Sequence, residues 1–169
     1  MIIHQAAQAM TAVRETFTSY LTGPSLEVAA LTARLQSQAL EEAKADNCPY
    51  VLLTTVKQTR KTDNGFLTHV AGSAVQQGIY QAGAATNSPV GQIAANAGAG
   101  AAGAAATYGG STQAHDELTL TTVLESSDGK TLVNMTGKKT ADSNGQDLLT
   151  PLVEKAATAV AAAVAKPAH

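Results

Sequence analysis

The sequence predicts an α+β fold: a small mixed or antiparallel sheet, built from a strand near 50–57 and a hairpin over 116–138, covered by helices and carrying a small-residue-rich insertion. Three observations predict it. Strand-forming Thr, Val and Leu alternate on both sides of Ser126-Ser127-Asp128-Gly129, a turn in which Gly supplies the positive φ that closure needs. Apolar residues recur at steps of three and four in segments near both termini. From Asn64 to His115 there is no Asp, Glu, Lys or Arg. At 169 residues the chain suits one domain, 1–169, large enough to bury a core without disulfides, with the uncharged insertion at about 64–115.

Residues 4–22 place Ala6, Met10, Val13, Phe17 and Leu21 on one stripe of a helix, which Gly23-Pro24 stops. Ser25 is then the expected N-cap of a second helix from about Leu26 to Asp46. Its buried stripe is Val28, Leu31, Leu35, Ala39 and Ala43, and Asn47-Cys48-Pro49 ends it. Tyr50 to Lys57 is rich in β-branched and apolar residues and reads as a central strand. A polar turn region over 58–65 follows.

Within the uncharged run, Val70 to Tyr80 has helical character, Asn87-Ser88-Pro89 makes a break, and Gly91 to Gly110 is almost entirely Ala and Gly. Three readings stand side by side: a flexible low-complexity loop, close-packed helices that meet through small residues, or a segment that enters a membrane or subunit interface. A simple transmembrane helix is disfavoured, because Ala and Gly contribute little transfer energy and Gln92 and Asn96 interrupt the run.

In the hairpin, the expected register pairs Glu125 with Lys130 and Glu117 with Lys138. It puts Leu118, Leu120, Thr122 and Leu124 on the buried face beside Thr131, Val133, Met135 and Gly137. Asp147 or Thr150 then caps a last helix to about Ala165, with Pro151 tolerated in its first turn. Leu149, Leu152, Ala156, Val160 and Ala163 cover the hairpin.

No residue pattern points to an enzyme, and no catalytic residue, cofactor or metal site is expected. Gly98-Ala99-Gly100-Ala101-Ala102-Gly103 fits the dinucleotide pattern G-x-G-x-x-G, but GQIAANA before it is a poor strand and an Ala/Gly tract makes such matches by composition. His4, His69, His115 and His169 are scattered singly, without zinc-ligand spacing. Cys48 is the only cysteine, so no intrachain disulfide forms, and it reads as a half-buried side chain leading into a strand. Lys57, Arg60 and Lys61 read as a solvated strand end ahead of a phosphate site. The net charge of −2 argues against a nucleic-acid partner, and no small-molecule substrate is expected. The start, MIIHQAAQAM, shows no signal peptide.

Three stretches carry a resemblance: Ala39 to Val56 (ALEEAKADNCPYVLLTTV), Leu118 to Lys138 (LTLTTVLESSDGKTLVNMTGK) and Asp147 to Val164 (DLLTPLVEKAATAVAAAV). They resemble the helix leading into a strand, the hairpin and the closing helix of a small α+β domain of bacterial envelope proteins. That domain occurs at the N-terminus of the Tol-system β-propeller protein, in curli secretion channel lipoproteins and in lipoprotein activators of penicillin-binding proteins. The resemblance implies a bacterial cell-envelope location, periplasmic or outer-membrane, or an extracellular one. In the curli-type channels such domains form rings and carry inserted membrane-facing hairpins. The first strand of that domain is missing from the pattern here, which leaves an expected open sheet edge.

The expected function is therefore that of a non-enzymatic structural protein, self-associating into a ring or filament. The expected subunit contact is Val70, Val75, Ile79, Tyr80, Val90, Ile93, Gly98, Gly100, Gly103 and Tyr108, with membrane contact through 70–110 as a further expectation. Burying an uncharged, small-residue surface costs little desolvation and lets neighbours pack closely. The rival expectation is a monomeric periplasmic adaptor that binds a protein partner, with the Ala/Gly segment as a tether.

Overall fold

A computed structural model describes residues 2–24, 26–31, 35–62, 65–70, 75–80 and 112–165, with backbone alone for 2–9, 61–62, 65–70 and 75–80. It is α+β. In chain order the elements are helix α1 (Ile2–Leu21), strand β1 (Glu27–Ala30), helix α2 (Gln36–Ala45), strands β2 (Tyr50–Thr62), β3 (Gly65–Val70), β4 (Val75–Tyr80), β5 (Glu117–Ser126) and β6 (Thr131–Thr140), and helix α3 (Leu149–Val164). All the strand pairs are antiparallel. The sheet order is β1-β4-β2-β5-β6, with β3 also paired to β2.

Strand β2 is the spine. Its first five residues pair with β4, Tyr50 opposite Ile79 through Thr54 opposite Val75, and its last six pair with β3, Lys57 opposite Val70 through Thr62 opposite Gly65. Its other side pairs with β5 from Tyr50 opposite Ser126 to Thr59 opposite Glu117.

Alternation along β2 sends successive side chains to opposite faces. Leu52 and Val56 join Leu118, Leu120 and Leu124 of β5 under α1 and α3, where Val13, Phe17, Leu21, Val153, Ala157 and Val160 are wholly buried. Val51 points the other way and packs with Leu31, Ala39, Ala43 and Cys48 beneath α2. Each buried Leu, Val or Phe contributes about 1.5–3 kcal/mol. The sheet therefore lies between a helix pair and a single short helix.

The expected stripe of α1 is correct at Val13, Phe17 and Leu21, and Met10 is partly buried against the same core. Burial raises the Tyr20 phenol above its ordinary pKa, and the charges of Glu154 and Asp147 add to this. In α3, Asp147 is the cap: its Oδ1 accepts from the N–H groups of Leu149 at 2.9 Å and Thr150 at 3.0 Å. The covering face of α3 is wider than expected, adding Val153, Ala157, Ala161 and Val164.

Several expectations are corrected. The expected helix from Leu26 to Asp46 is split: Glu27–Ala30 is strand β1, paired to Gln77–Tyr80, and the helix begins only at Gln36. Pairing with β4 outweighs the helical spacing of Val28 and Leu31. Leu31 is buried, but Leu35 stands 61% exposed at the helix entrance instead of on its buried stripe. The end at Asn47 is as expected. Asn47 takes φ 55°, Cys48 N–H donates to Ala43 O and Asn47 N–H to Lys44 O, the Schellman arrangement, and Cys48 is buried rather than half-buried.

Val70 to Tyr80 holds strand residues rather than a helix, Val70 closing β3 and Val75–Tyr80 forming β4. Lodged between β1 and β2, β4 gains ladder bonds on both sides that a surface helix would lack. The polar region 58–65 is likewise strand through Thr62, with Gly65 opening the return.

The hairpin closes as expected, with Gly129 at φ 87° and its N–H donating to Ser126 O. Its register differs by one residue at the turn, where Glu125 lies opposite Thr131 rather than Lys130, and by two beyond it, where Glu117 lies opposite Thr140 rather than Lys138. Leu124 faces Val133 and Glu125 faces Thr131, so Leu132 is the extra residue of a bulge. A shift of two preserves the faces, so the expected buried row of Leu118, Leu120, Thr122 and Leu124 is correct.

Candidate functional site

The most developed polar site lies where the uncharged run rejoins the sheet. Asp116 is fully buried just before β5, and its carboxylate accepts from Arg60, Gln58 and the Gln113 N–H. Arg60, from the far end of β2, donates through Nε to Oδ1 at 3.0 Å and through Nη2 to Oδ2 at 2.8 Å. Gln58 Nε2 adds a bond of 3.2 Å and the Gln113 N–H one of 2.9 Å. Burial by itself raises the Asp116 pKa. The hydrogen bonds from Arg60 and the Gln113 N–H, the Arg60 charge and Gln58 outweigh it and hold the carboxyl below its ordinary value.

The backbone around Asp116 is tied with equal care. His115, at φ 70°, donates its N–H to Ala141 O, and Ala141 N–H returns a bond to Asp116 O, each at 2.8 Å. Gly145 N–H reaches Thr112 O at 2.8 Å, and Asn144 Oδ1 accepts from Ala114 N–H at 2.8 Å. Gly145 sits at φ 75°, which favours glycine at this crossing. With Gln58, Arg60 and the Gln113 N–H all donating to Asp116, each of the three reaching Oδ2, this arrangement fixes a chain position.

The start of the run is fixed as well. Ile79 pairs with Tyr50 on one side and Val28 on the other, and Tyr80 pairs with Glu27. Of the expected contact residues, Val75, Ile79 and Tyr80 are thus in an interior strand, and Val70 ends the strand paired to the far half of β2. Val90, Ile93, Gly98, Gly100, Gly103 and Tyr108 lie outside the described residues. Tyr80 stands near the Tyr50 end of β2, whereas Asp116 stands at the Arg60 end, so these two residues, which flank the run, are separated by about 30 Å along the sheet.

A second buried carboxylate, Glu125, accepts from Gln36 Nε2 at 2.6 Å and links α2 to the sheet. Glu117 meets Lys138 at 2.8 Å, diagonally across the ladder. Sequence reasoning assigned Glu117 its partner but missed Asp116, Gln58, Arg60 and the Gln36–Glu125 link. Their separations along the chain are set by the sheet and leave no local spacing to read. Arg60 is an ion-pair partner, not part of a solvated basic cluster, while Lys57 is exposed.

Among the described residues, no group of three or more His, Cys, Asp or Glu is placed to hold a metal ion, and no helix is long and apolar enough to cross a membrane. His115 is exposed. Comparison with family models, curated proteins and solved structures finds no match.

Proposed function

We propose that this chain is a non-enzymatic structural protein of the bacterial cell envelope or the extracellular space, acting by self-association into a ring or filament. The observation that carries the reading is the double anchorage of the uncharged segment 81–111. It leaves the sheet from interior strand β4 and re-enters through the Asp116 clasp. Fixed ends lower the entropy lost when such a segment enters a contact, and the absence of charge keeps its desolvation cost small. A heterologous contact of this kind gives a ring where the rotation closes and a filament where it does not. The location rests on the resemblance of the 39–56, 118–138 and 147–164 stretches to bacterial envelope domains.

Because Val75–Tyr80 belongs to the sheet, the contact is assigned to the part of the run after Tyr80. Negative-stain microscopy of the intact chain tests the reading. Rings or filaments of uniform width are expected, and fields of single particles of monomer size at high concentration contradict it.

A further inference from the structure

Strand β6 ends the sheet, and among the described residues it has a neighbour on one side only. Ten residues of edge are long enough to template pairing. We infer that β6 pairs with β6 of a second copy of this chain, antiparallel about a two-fold axis near Met135. This contact is separate from the one assigned to 81–111 and stands or falls independently of it.

The charge pattern of the strand selects both the partner and the register. Features that discourage edge pairing sit only at its ends: the Leu132 bulge at the start, and Lys138 and Lys139 near the finish. Between them, Val133 to Gly137 carries neither charge nor proline. Parallel pairing in register would lay each lysine beside its own copy, and so would an antiparallel register centred near Lys138. Centring on Met135 instead sets Lys138 opposite Leu132, Lys139 opposite Thr131 and Lys130 opposite Thr140, so no lysine opposes another. Leu132, 37% exposed, would then lie under the methylene stem of the opposing Lys138.

The edge is also held rigid before any partner arrives. At Gly137 a Cβ would stand 2.9 Å from Leu152 Cδ2, so β6 lies tight against α3. The Thr121 and Thr136 hydroxyls are 3.2 Å apart across the ladder, and Glu117 holds Lys138. Val133 and Met135 are only partly buried against the helix-covered core, and a continued sheet would cover their open side. A pre-ordered strand loses little entropy on pairing, and its free backbone groups supply the hydrogen bonds.

The register makes a charge-swap test decisive. Asn134 and Thr136 are both exposed, and the proposed axis places each opposite the other in the second copy. Full-length N134K/T136K and N134E/T136E are compared with the wild type by light scattering, with circular dichroism as the check on folding. The wild type is expected to show an even number of chains, each variant alone half that mass, and an equimolar mixture the wild-type mass again. A wild type of one chain, variants that keep the wild-type mass, or a mixture that fails to recover it would overturn the proposal. Loss of the 81–111 contact changes the mass of wild type and variants alike, whereas the β6 contact follows the sign of the charge.

Discussion

Arg60 and Asp116 lie 56 positions apart in the chain, yet Arg60 Nη2 and Asp116 Oδ2 are 2.8 Å apart. The pair joins the strand that enters the uncharged run to the residue that leaves it. It therefore couples the stability of the sheet to the position of the run's second anchor.

Replacing Asp116 by Asn removes the charge while keeping the size. Arg60, its side chain 26% exposed, loses the Asp116 carboxylate, and the donors of Gln58 and Gln113 face a weaker acceptor. The expected loss is about 3 kcal/mol, toward the low end for breaking a buried pair because Arg60 retains some water. Urea unfolding followed by circular dichroism measures it, and a loss under about 0.5 kcal/mol would place the clasp among weak surface pairs.

The same carboxyl predicts a pH dependence. Its folded pKa lies below its unfolded one, so its contribution is complete above the ordinary aspartate value and is lost as pH falls through the folded value. At neutral pH this group contributes no slope; stability starts to fall as pH approaches the ordinary aspartate value and goes on falling toward the lower folded value. In Asp116→Asn that part of the acid slope should vanish, and parallel acid titrations of the two proteins check it.

Gly137→Ala should destabilise the hairpin by about 1 kcal/mol, since the new methyl would stand 2.9 Å from Leu152 Cδ2 and Leu152, part of the core, would have to shift. Combining it with Leu152→Ala should cost less than the sum of the single changes. A double-mutant cycle by thermal denaturation gives the coupling, and strict additivity would show that the close approach is not the cause.

Thr122 is wholly buried between Leu120 and Leu124 on the helix-covered face, and its Oγ1 has no partner among the described residues. Thr122→Val keeps the shape and removes a desolvated hydroxyl. A gain of up to about 1 kcal/mol is expected, read as a higher urea midpoint at unchanged slope. A clear loss would reveal a hydrogen bond to that hydroxyl.

Most of this architecture is legible in the sequence where the signal is local. The alternation of Leu118 to Leu124, the Gly129 turn, the stripe through Val13, Phe17 and Leu21, the Asn47 stop and the Asp147 cap all depend on neighbours within a few residues, and each is present. What is not legible depends on distant partners. Glu27–Ala30 has helical spacing but becomes a strand because β4 offers it an edge, and β4 is misread for the same reason from the other side. Of the two-residue shift in the hairpin, one residue arises at the turn, where Glu125 lies opposite Thr131, and the second at the bulge at Leu132, and no pairing of Glu and Lys along the sequence reveals either. Of the expected contact residues, the structure places four in strands and describes none of the rest; the clasp that anchors them joins residues from opposite sides of the run.

The central claim is that 81–111 carries the subunit contact. Its most direct test is the light-scattering mass of the intact chain beside a version with 81–111 replaced by a Gly-Ser linker long enough to span about 30 Å. The account predicts that the replacement, folded by circular dichroism, loses the ring or filament and falls to at most the two-chain mass that β6 pairing permits. Equal masses for the two proteins would contradict it.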